Sequence, residues 1–185
     1  LPMSDDPVAT EVRTADGWLE FQEYFVHRRQ EPEVLELRFA GIDAARATPE
    51  VLDVLAEAEA VVIAPSNPLV SVAPILGVPG IREAIAAARA RGVPVAAVSP
   101  IIGGKALKGP ADRMLAALGH ESSALGVARL YADHVDIFIL DAQDAAASAA
   151  VEALGLRSVV TDTIMADDAG RARLARDVLA AIPRR

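Results

Sequence analysis

The sequence predicts an α/β fold built on a doubly wound, mostly parallel sheet with helices on both faces, preceded by a β-hairpin segment. Three observations predict it. Short apolar runs recur from residue 60 onward, as "AVVIAP", "VPVAAVSP", "VDIFIL" and "LRSVVTD". Their continuous apolarity marks strands buried on both faces rather than on one. Each run is followed by a helical segment, usually opened or closed by Pro or Gly, and such alternation builds a parallel sheet through right-handed crossovers.

Taken in order, "VATEVRT" (8–14) and "WLEFQEYFV" (18–26) flank "ADG", where Gly17 supplies the positive φ of a tight turn, so a hairpin is expected over 8–26. Alternation puts Trp18 and Tyr24 on one hairpin face. With Phe21 and Phe25 they read as core packing or a dimer contact rather than a ring-stacking surface. His27 reads as a solvated strand end, with Arg28 and Arg29 beside it as candidates to meet an anionic substrate. "VLELRFAG" (34–41) is a strand by alternation, and "TPEVLDVLAEAEA" (48–60) a helix with Thr48 as N-cap and Pro49 in first position.

From residue 60 the expected parallel strands lie near 60–64, 93–98, 135–140 and 156–160. "PSNPLVSVAP" (65–74) reads as a loop, and "PGIREAIAAARARG" (79–92) as a helix closed by Gly92. "GPADRMLAALG" (109–119) is a helix started by Pro110 and ended by Gly119, "DAAASAAVEALG" (144–155) a further helix, and "DDAGRARLARDVLAAI" (167–182) the closing amphipathic one. The arrangement is Rossmann-like. Residues 1–42 form the hairpin-rich segment and 43–185 the α/β core of one domain.

Composition narrows the function classes. The chain has 185 residues, enough to bury a core. No apolar run is long enough to cross a bilayer, so no membrane partner is expected. With 26 acidic against 18 basic residues the net charge is -8, which disfavours a nucleic acid partner. There is no cysteine, and the three histidines, His27, His120 and His134, are too far apart for a metal-ligand motif. A cytoplasmic location fits this cysteine-free composition, with no signal peptide visible.

Ligands of such sheets bind beyond the carboxyl ends of the strands, which directs attention to the loops after residues 64 and 98. The first offers Ser66, Asn67 and Ser71 as hydrogen-bonding side chains suited to a phosphate or a ribose; as ordinary turn residues they serve equally as turn caps stiffened by Pro65 and Pro68. The second, "SPIIGGKALKGPADRM", has Gly103 and Gly104 for close backbone approach, Lys105 and Lys108 as cations, and Gly109-Pro110 opening a helix. It reads as a diphosphate cradle, although neither the Walker A spacing nor the dinucleotide fingerprint is present. Asp133, Asp136 and Asp141 bracket the third parallel strand and read as solvated loop positions rather than metal ligands.

The runs "APSNPLVSVAPILGVPGIREAI", "VSPIIGGKALKGPADRMLAALG", "SSALGVARLYADHVDIFILD" and "TDTIMAD" together resemble the 2-phospho-L-lactate transferase family of deazaflavin coenzyme (factor 420) biosynthesis. "MSDDPVATEVRTADGWLEFQEYFV" resembles it too, so the likeness extends over nearly the whole chain. A related branch of nucleotide-sugar-binding regulators has a similar loop at "PSNP" without the match in "SPIIGGKALKGPADRM". The resemblance implies transfer of a 2-phospholactyl group, or in actinobacterial relatives a phosphoenolpyruvyl group, from a guanosine diphosphate-linked donor to the ribityl hydroxyl of the deazaflavin Fo, with release of GMP. It implies Mg²⁺ as cofactor and the guanylyl donor and Fo as small-molecule partners, and a homodimer is expected. Ser66, Asn67 and Ser71 would then position donor oxygens or the attacking hydroxyl, Lys105 and Lys108 would neutralise diphosphate charge, and Gly103 and Gly104 would offer backbone N–H groups. Family members begin with a glycine-rich strand-loop-helix unit followed by acidic Mg²⁺ residues, neither of which is present, so the chain is expected to be the C-terminal portion or half of a split enzyme. No catalytic residue or metal ligand is assigned. The alternative is a non-catalytic nucleotide or nucleotide-sugar-binding regulatory module of the same superfamily.

Overall fold

The Asp16-Gly17 turn dictates the first element of the computed structural model, which describes residues 1–183. Gly17 takes φ 113° and joins β1 (Ala9–Thr14) to β2 (Gly17–Glu20) as an antiparallel pair, with Thr14 opposite Gly17. β3 (Glu36–Ala40) adds to the other edge of β1, giving the order β2-β1-β3. The second hairpin strand ends at Glu20 instead of running to Val26, and Glu23–His27 is a π-helical turn. Burial explains the difference. The turn carries Tyr24 into contact with Val12, Val34 and Met114, where it is 2% exposed. Trp18 and Tyr24 therefore do not share a hairpin face; Trp18 stays on the sheet with the Arg38 guanidinium 4.1 Å from its ring centroid, a cation–π contact.

The parallel sheet follows α1 (Pro49–Glu57). Thr48 stands at the N-cap, but its hydroxyl donates to the Pro2 carbonyl instead of capping the helix. β4 (Val61–Ile63) comes next. The stretch expected as a loop is then helical, with a π-helical turn at Pro68–Val72 running into α2 (Ala73–Gly77). Pro68 is accommodated because it occupies the first turn, where its missing N–H is no loss, and burial of Val72 and Leu76 favours the coiled form. α3 (Ile81–Ala90) is followed by Gly92 at φ 82°, and β5 (Val95–Val98) is buried throughout.

β6 (Ile101–Ile102) and β7 (Lys105–Ala106) form a small antiparallel hairpin turned by Gly103 and Gly104. α4 (Ala111–Ala117) ends before Gly119 as expected. α5 (Ala124–Tyr131), to which the sequence reading assigns no element, starts where the Ser123 hydroxyl accepts from the Gly126 N–H at 2.9 Å. After β8 (Ile137–Asp141), the helix expected over 144–155 is divided into a 3₁₀ turn at Ala142–Ala147 and α6 (Ser148–Glu152). β9 (Arg157–Thr161) and α7 (Asp168–Ala181) complete the fold.

The sheet order is β4-β5-β8-β9, parallel at every pairing. Val95, Ala97, Phe138 and Leu140 face a core built with residues of α3, α5 and α6, while Ala96, Val98, Ile137 and Ile139 face Leu174, Val178 and Ala181 of α7. Both faces of the inner strands are thus covered, which is why their sequences do not alternate. Phe138→Ala, at a fully buried position, is expected to lose about 3–5 kcal/mol of unfolding free energy. Leu179→Ala, 63% exposed on α7, should change it by less than about 0.5 kcal/mol. Chemical denaturation reads both, and equal midpoints for the two variants would contradict this account of the core.

Candidate functional site

Segments leaving the carboxyl ends of β4, β5 and β9 meet the π-helical turn of the N-terminal sheet around a crevice of about 530 Å³, a volume suited to a small-molecule ligand. Its first wall follows β4. The Asn67 side-chain oxygen accepts from the Leu69 N–H at 2.9 Å and caps the turn at Pro68–Val72, while its amide nitrogen lies 3.6 Å from the Met114 sulfur. Coiling of the segment sets Ser66, Asn67 and Ser71 on one side, all lining the crevice.

The second wall follows β5. Ser99, 1% exposed, donates from Oγ to the Ile101 carbonyl at 2.8 Å and accepts from the Ile101 N–H at 3.2 Å, while its own N–H donates to Ile139 at 2.9 Å. These bonds turn the chain into the β6–β7 hairpin. Beyond the hairpin, Lys108 lines the crevice. Gly103, Gly104 and Lys105 lie at the hairpin turn, outside the lining. The Gly103 N–H donates to both carboxylate oxygens of Asp144, at 3.2 and 3.1 Å, and the Ser122 hydroxyl donates to the Gly104 carbonyl at 3.2 Å.

The third wall follows β9 and carries Thr163, Met165 and Arg171. Asp141, 2% exposed at the end of β8, holds it in place by accepting from the Thr163 N–H at 2.8 Å and hydroxyl at 3.0 Å and from the Gln143 N–H at 2.9 Å. Arg173 grips the same segment by donating to the carbonyls of Ile164, at 2.9 Å, and Asp162, at 3.2 Å. Phe21 and Phe25 close the fourth side, their rings stacked with centroids 5.5 Å apart and planes inclined by 26°. Lys108 and Arg171 are charged residues of the lining, and no carboxylate is among the described lining residues, although the chain as a whole carries -8. Arg171 also pairs with the exposed Asp168.

The sequence profile of the family described as 2-phospho-L-lactate transferase CofD matches residues 1–179. The chain belongs to that family. It is 40% identical over 181 residues to a 2-phospho-L-lactate transferase of Methanosarcina mazei, an alignment covering 98% of the chain and 58% of the relative. It is 44% identical over 185 residues to a phosphoenolpyruvate transferase of Kitasatospora aureofaciens, covering 97% of the chain and 57% of the relative. This CofD-family chain therefore spans a little over half the length of the curated relatives it matches. Among solved structures, protein BH3568 from Bacillus halodurans superposes with a TM-score of 0.65 at 17% identity, over 97% of this chain and 61% of that one. That likeness concerns the fold alone.

Two of the three aspartates read as solvated have structural partners instead. Asp136 accepts from the Val95 N–H at 2.9 Å and from Arg89 at 2.8 and 3.0 Å, and Asp141 serves as described; Asp133 is exposed. Among the described residues of this family member, no three His, Cys, Asp or Glu side chains come together to hold a metal ion. The described residues therefore offer no carboxylate cluster of their own for Mg²⁺. Sequence reasoning missed Phe21, Phe25, Thr163, Met165 and Arg171. The spacing in "FQEYF", with aromatics four apart, is the helical signal that brings Phe21 and Phe25 to one side. "TDTIMAD", lying beyond the carboxyl end of β9, is where the binding rule for parallel sheets points.

Burial pushes the Asp141 pKa up, but the hydrogen bonds from Gln143 and Thr163 outweigh it and leave the group below its ordinary value. A carboxylate whose pKa is lowered by folding stabilises the protein above its unfolded pKa of about 4 and loses that contribution as pH falls through the folded value. The stability advantage of wild type over Asp141→Asn is therefore expected to be greatest near neutrality and to shrink in acid, as read by urea unfolding across pH. A pH-independent difference would contradict this. Asn67→Ala should cost about 0.5–2 kcal/mol through the lost cap, whereas Asn67→Asp keeps the acceptor for Leu69 and should melt near wild type.

Proposed function

We propose that the crevice receives the donor and acceptor of a transferase of deazaflavin coenzyme biosynthesis. The group moved is 2-phospholactyl or phosphoenolpyruvyl, the donor is its guanosine diphosphate-linked form, and the acceptor is the ribityl hydroxyl of Fo. In this reading the hydroxyl oxygen attacks the phosphorus that carries the lactyl or pyruvyl group. The bond from that phosphorus to the bridging oxygen breaks, GMP leaves with the electron pair, and the hydroxyl proton is released. What supports the reading most is the lining itself: Lys108 and Arg171 with no carboxylate, facing a stacked Phe21–Phe25 pair.

The cations suit the diphosphate and the carboxylate of the donor, since charge-assisted contacts are the stronger ones, with Arg171 shared between the crevice and its partner Asp168. The aromatic pair suits a flat deazaflavin ring. Ser66, Asn67 and Ser71 carry the small polar groups that orient a reacting hydroxyl, which is most of what a phosphoryl-type transfer asks of a protein. Lys105 and Gly104 on the hairpin turn are proposed as outer contacts to the donor, with Lys108 as the inner one, while the Gly103 N–H is engaged by Asp144.

Isothermal titration of the chain with GDP and with Fo tests this reading. Lys108→Ala is expected to weaken GDP about ten- to a hundredfold, the value of one charge-assisted contact, and Lys105→Ala to weaken it less. Phe25→Ala should lower Fo affinity about three- to tenfold through lost stacking while leaving GDP binding unchanged. If neither ligand binds, the assignment fails. Nucleotide binding without Fo binding would favour the regulatory nucleotide-binding module.

A further inference from the structure

Arg29 and Gln30 take φ of 52° and 59°, while every other left-handed position among the described residues is glycine. Two consecutive residues with side chains persist in that region only where their surroundings hold them there. They follow directly on the π-helical turn at Glu23–His27. Backbone bonds lead the chain through them: the Arg28 N–H donates to the Glu23 carbonyl, the Gln30 N–H to that of Tyr24 and the Glu31 N–H to that of Arg28, each at 3.0 Å. Within the turn, Glu23 pairs with both His27 and Arg28. These contacts fasten the turn to itself and not to the rest of the molecule.

Arg113 of α4 supplies a hold from outside. Its guanidinium donates to the Gln30 carbonyl at 3.2 Å and to the Gln30 side-chain oxygen at 2.9 Å, so one planar fork fixes both the backbone and the side chain of a left-handed residue. The Tyr24 hydroxyl lies 3.5 Å from the same carbonyl. Next in sequence, Met114 packs against Tyr24 and has its sulfur 3.6 Å from the Asn67 amide nitrogen, and the start of the helix lines the crevice at Pro110 and Ala111. α4 is therefore the frame on which the aromatic wall and the Asn67 wall are both set, although Arg113 itself is not among the described lining residues. We propose that Arg113 is a positioning residue: it clamps Gln30 to α4, fixes the π-helical turn, and so holds Phe25 and its stacked neighbour Phe21 against the crevice for a flat aromatic ligand to pack on. Recognition of that ligand rests on the function proposed above, whereas the clamp rests on the geometry at Gln30 alone.

Hydrogen exchange and titration with Fo and GDP test this on Arg113→Ala and Arg113→Lys. In Arg113→Ala, exchange at the Arg28 and Gln30 amides is expected to quicken about three- to tenfold, the worth of a charge-assisted contact partly screened by solvent, while the amides of β8 keep their rates and melting stays close to wild type. Fo affinity should fall about three- to tenfold by the same measure, with GDP affinity unchanged. Arg113→Lys, which can still reach one Gln30 oxygen, should recover part of both losses, and Gln30→Ala, cutting the clamp from its other side, should reproduce the Arg113→Ala pattern. Because Arg113 acts through the ring, Phe25→Ala with Arg113→Ala should bind Fo little worse than Phe25→Ala alone. Arg129→Ala, which removes an exposed pair with Glu121 on α5, should change none of these readings. Unaltered exchange at Gln30 in Arg113→Ala would overturn the clamp whether or not Fo binds. Quickened exchange with wild-type Fo affinity, or losses at Phe25 and Arg113 that simply add, would overturn its part in recognition. A wild-type chain that binds no Fo would defeat the proposed function and that part with it, and the exchange rates would still decide the clamp.

Discussion

Because β5 and β8 are inner strands of a parallel sheet, their backbones pair on both sides and their side chains meet protein on both faces. Such strands cannot be joined by tight turns; each connection must leave at the carboxyl end, cross a face and return. That requirement places the segments after β4, β5 and β9 at one end of the sheet, and they are segments without a hairpin partner strand of the sheet to fix them. The crevice exists where these departures converge. Its shape is therefore set first by sheet topology and only then by the side chains that hold each departing segment.

Ser99 and Asp141, both buried, hold two of those segments. Ser99 folds the exit of β5 by donating to and accepting from Ile101, and Asp141 ties the exit of β9 to the end of β8 through Thr163. At the other end of the sheet Asp136 plays the matching part, accepting from the Val95 N–H and from Arg89. In each case a short polar side chain satisfies backbone groups that the ladder leaves over, and at Ser99 and Asp141 this is the usual resolution for polar groups that burial has cut off from water. The cost is that the Asp141 carboxylate must stay ionised to accept all its bonds, which links the geometry of the crevice wall to its protonation.

The parallel strands were legible because continuous apolar runs have few alternative explanations, and the glycines at 92 and 119 do take the positive φ that closes a helix. The π-helical turn was not legible: "FQEYF" satisfies alternation as well as helical spacing, and burial of Tyr24 against Val12 and Met114 decides between them. Pro68 and Pro74 concealed the helical stretch after β4, since proline in a first turn looks the same in sequence as proline in a loop. Of the residues singled out for binding, Ser66, Asn67, Ser71 and Lys108 meet in one crevice, and Gly103, Gly104 and Lys105 sit on the neighbouring hairpin turn. Phe21, Phe25, Thr163 and Arg171 come to the same place from far along the chain. Only tertiary structure brings them together, so no local pattern near the two glycine- and proline-rich loops announces them.

Asn67 occupies a position where two demands fall on a single amide. Its oxygen starts the helical turn that shapes the wall, and the same side chain faces the space a ligand would fill. Replacements that improved contact with a ligand would first have to preserve an acceptor for Leu69, which restricts the accessible exchanges to the few residues that cap as well as Asn does. Drift at this site is thus filtered by foldability before it is filtered by recognition. A lineage changing its substrate would find the open path at Ser66 or Ser71, whose hydroxyls do not begin the turn.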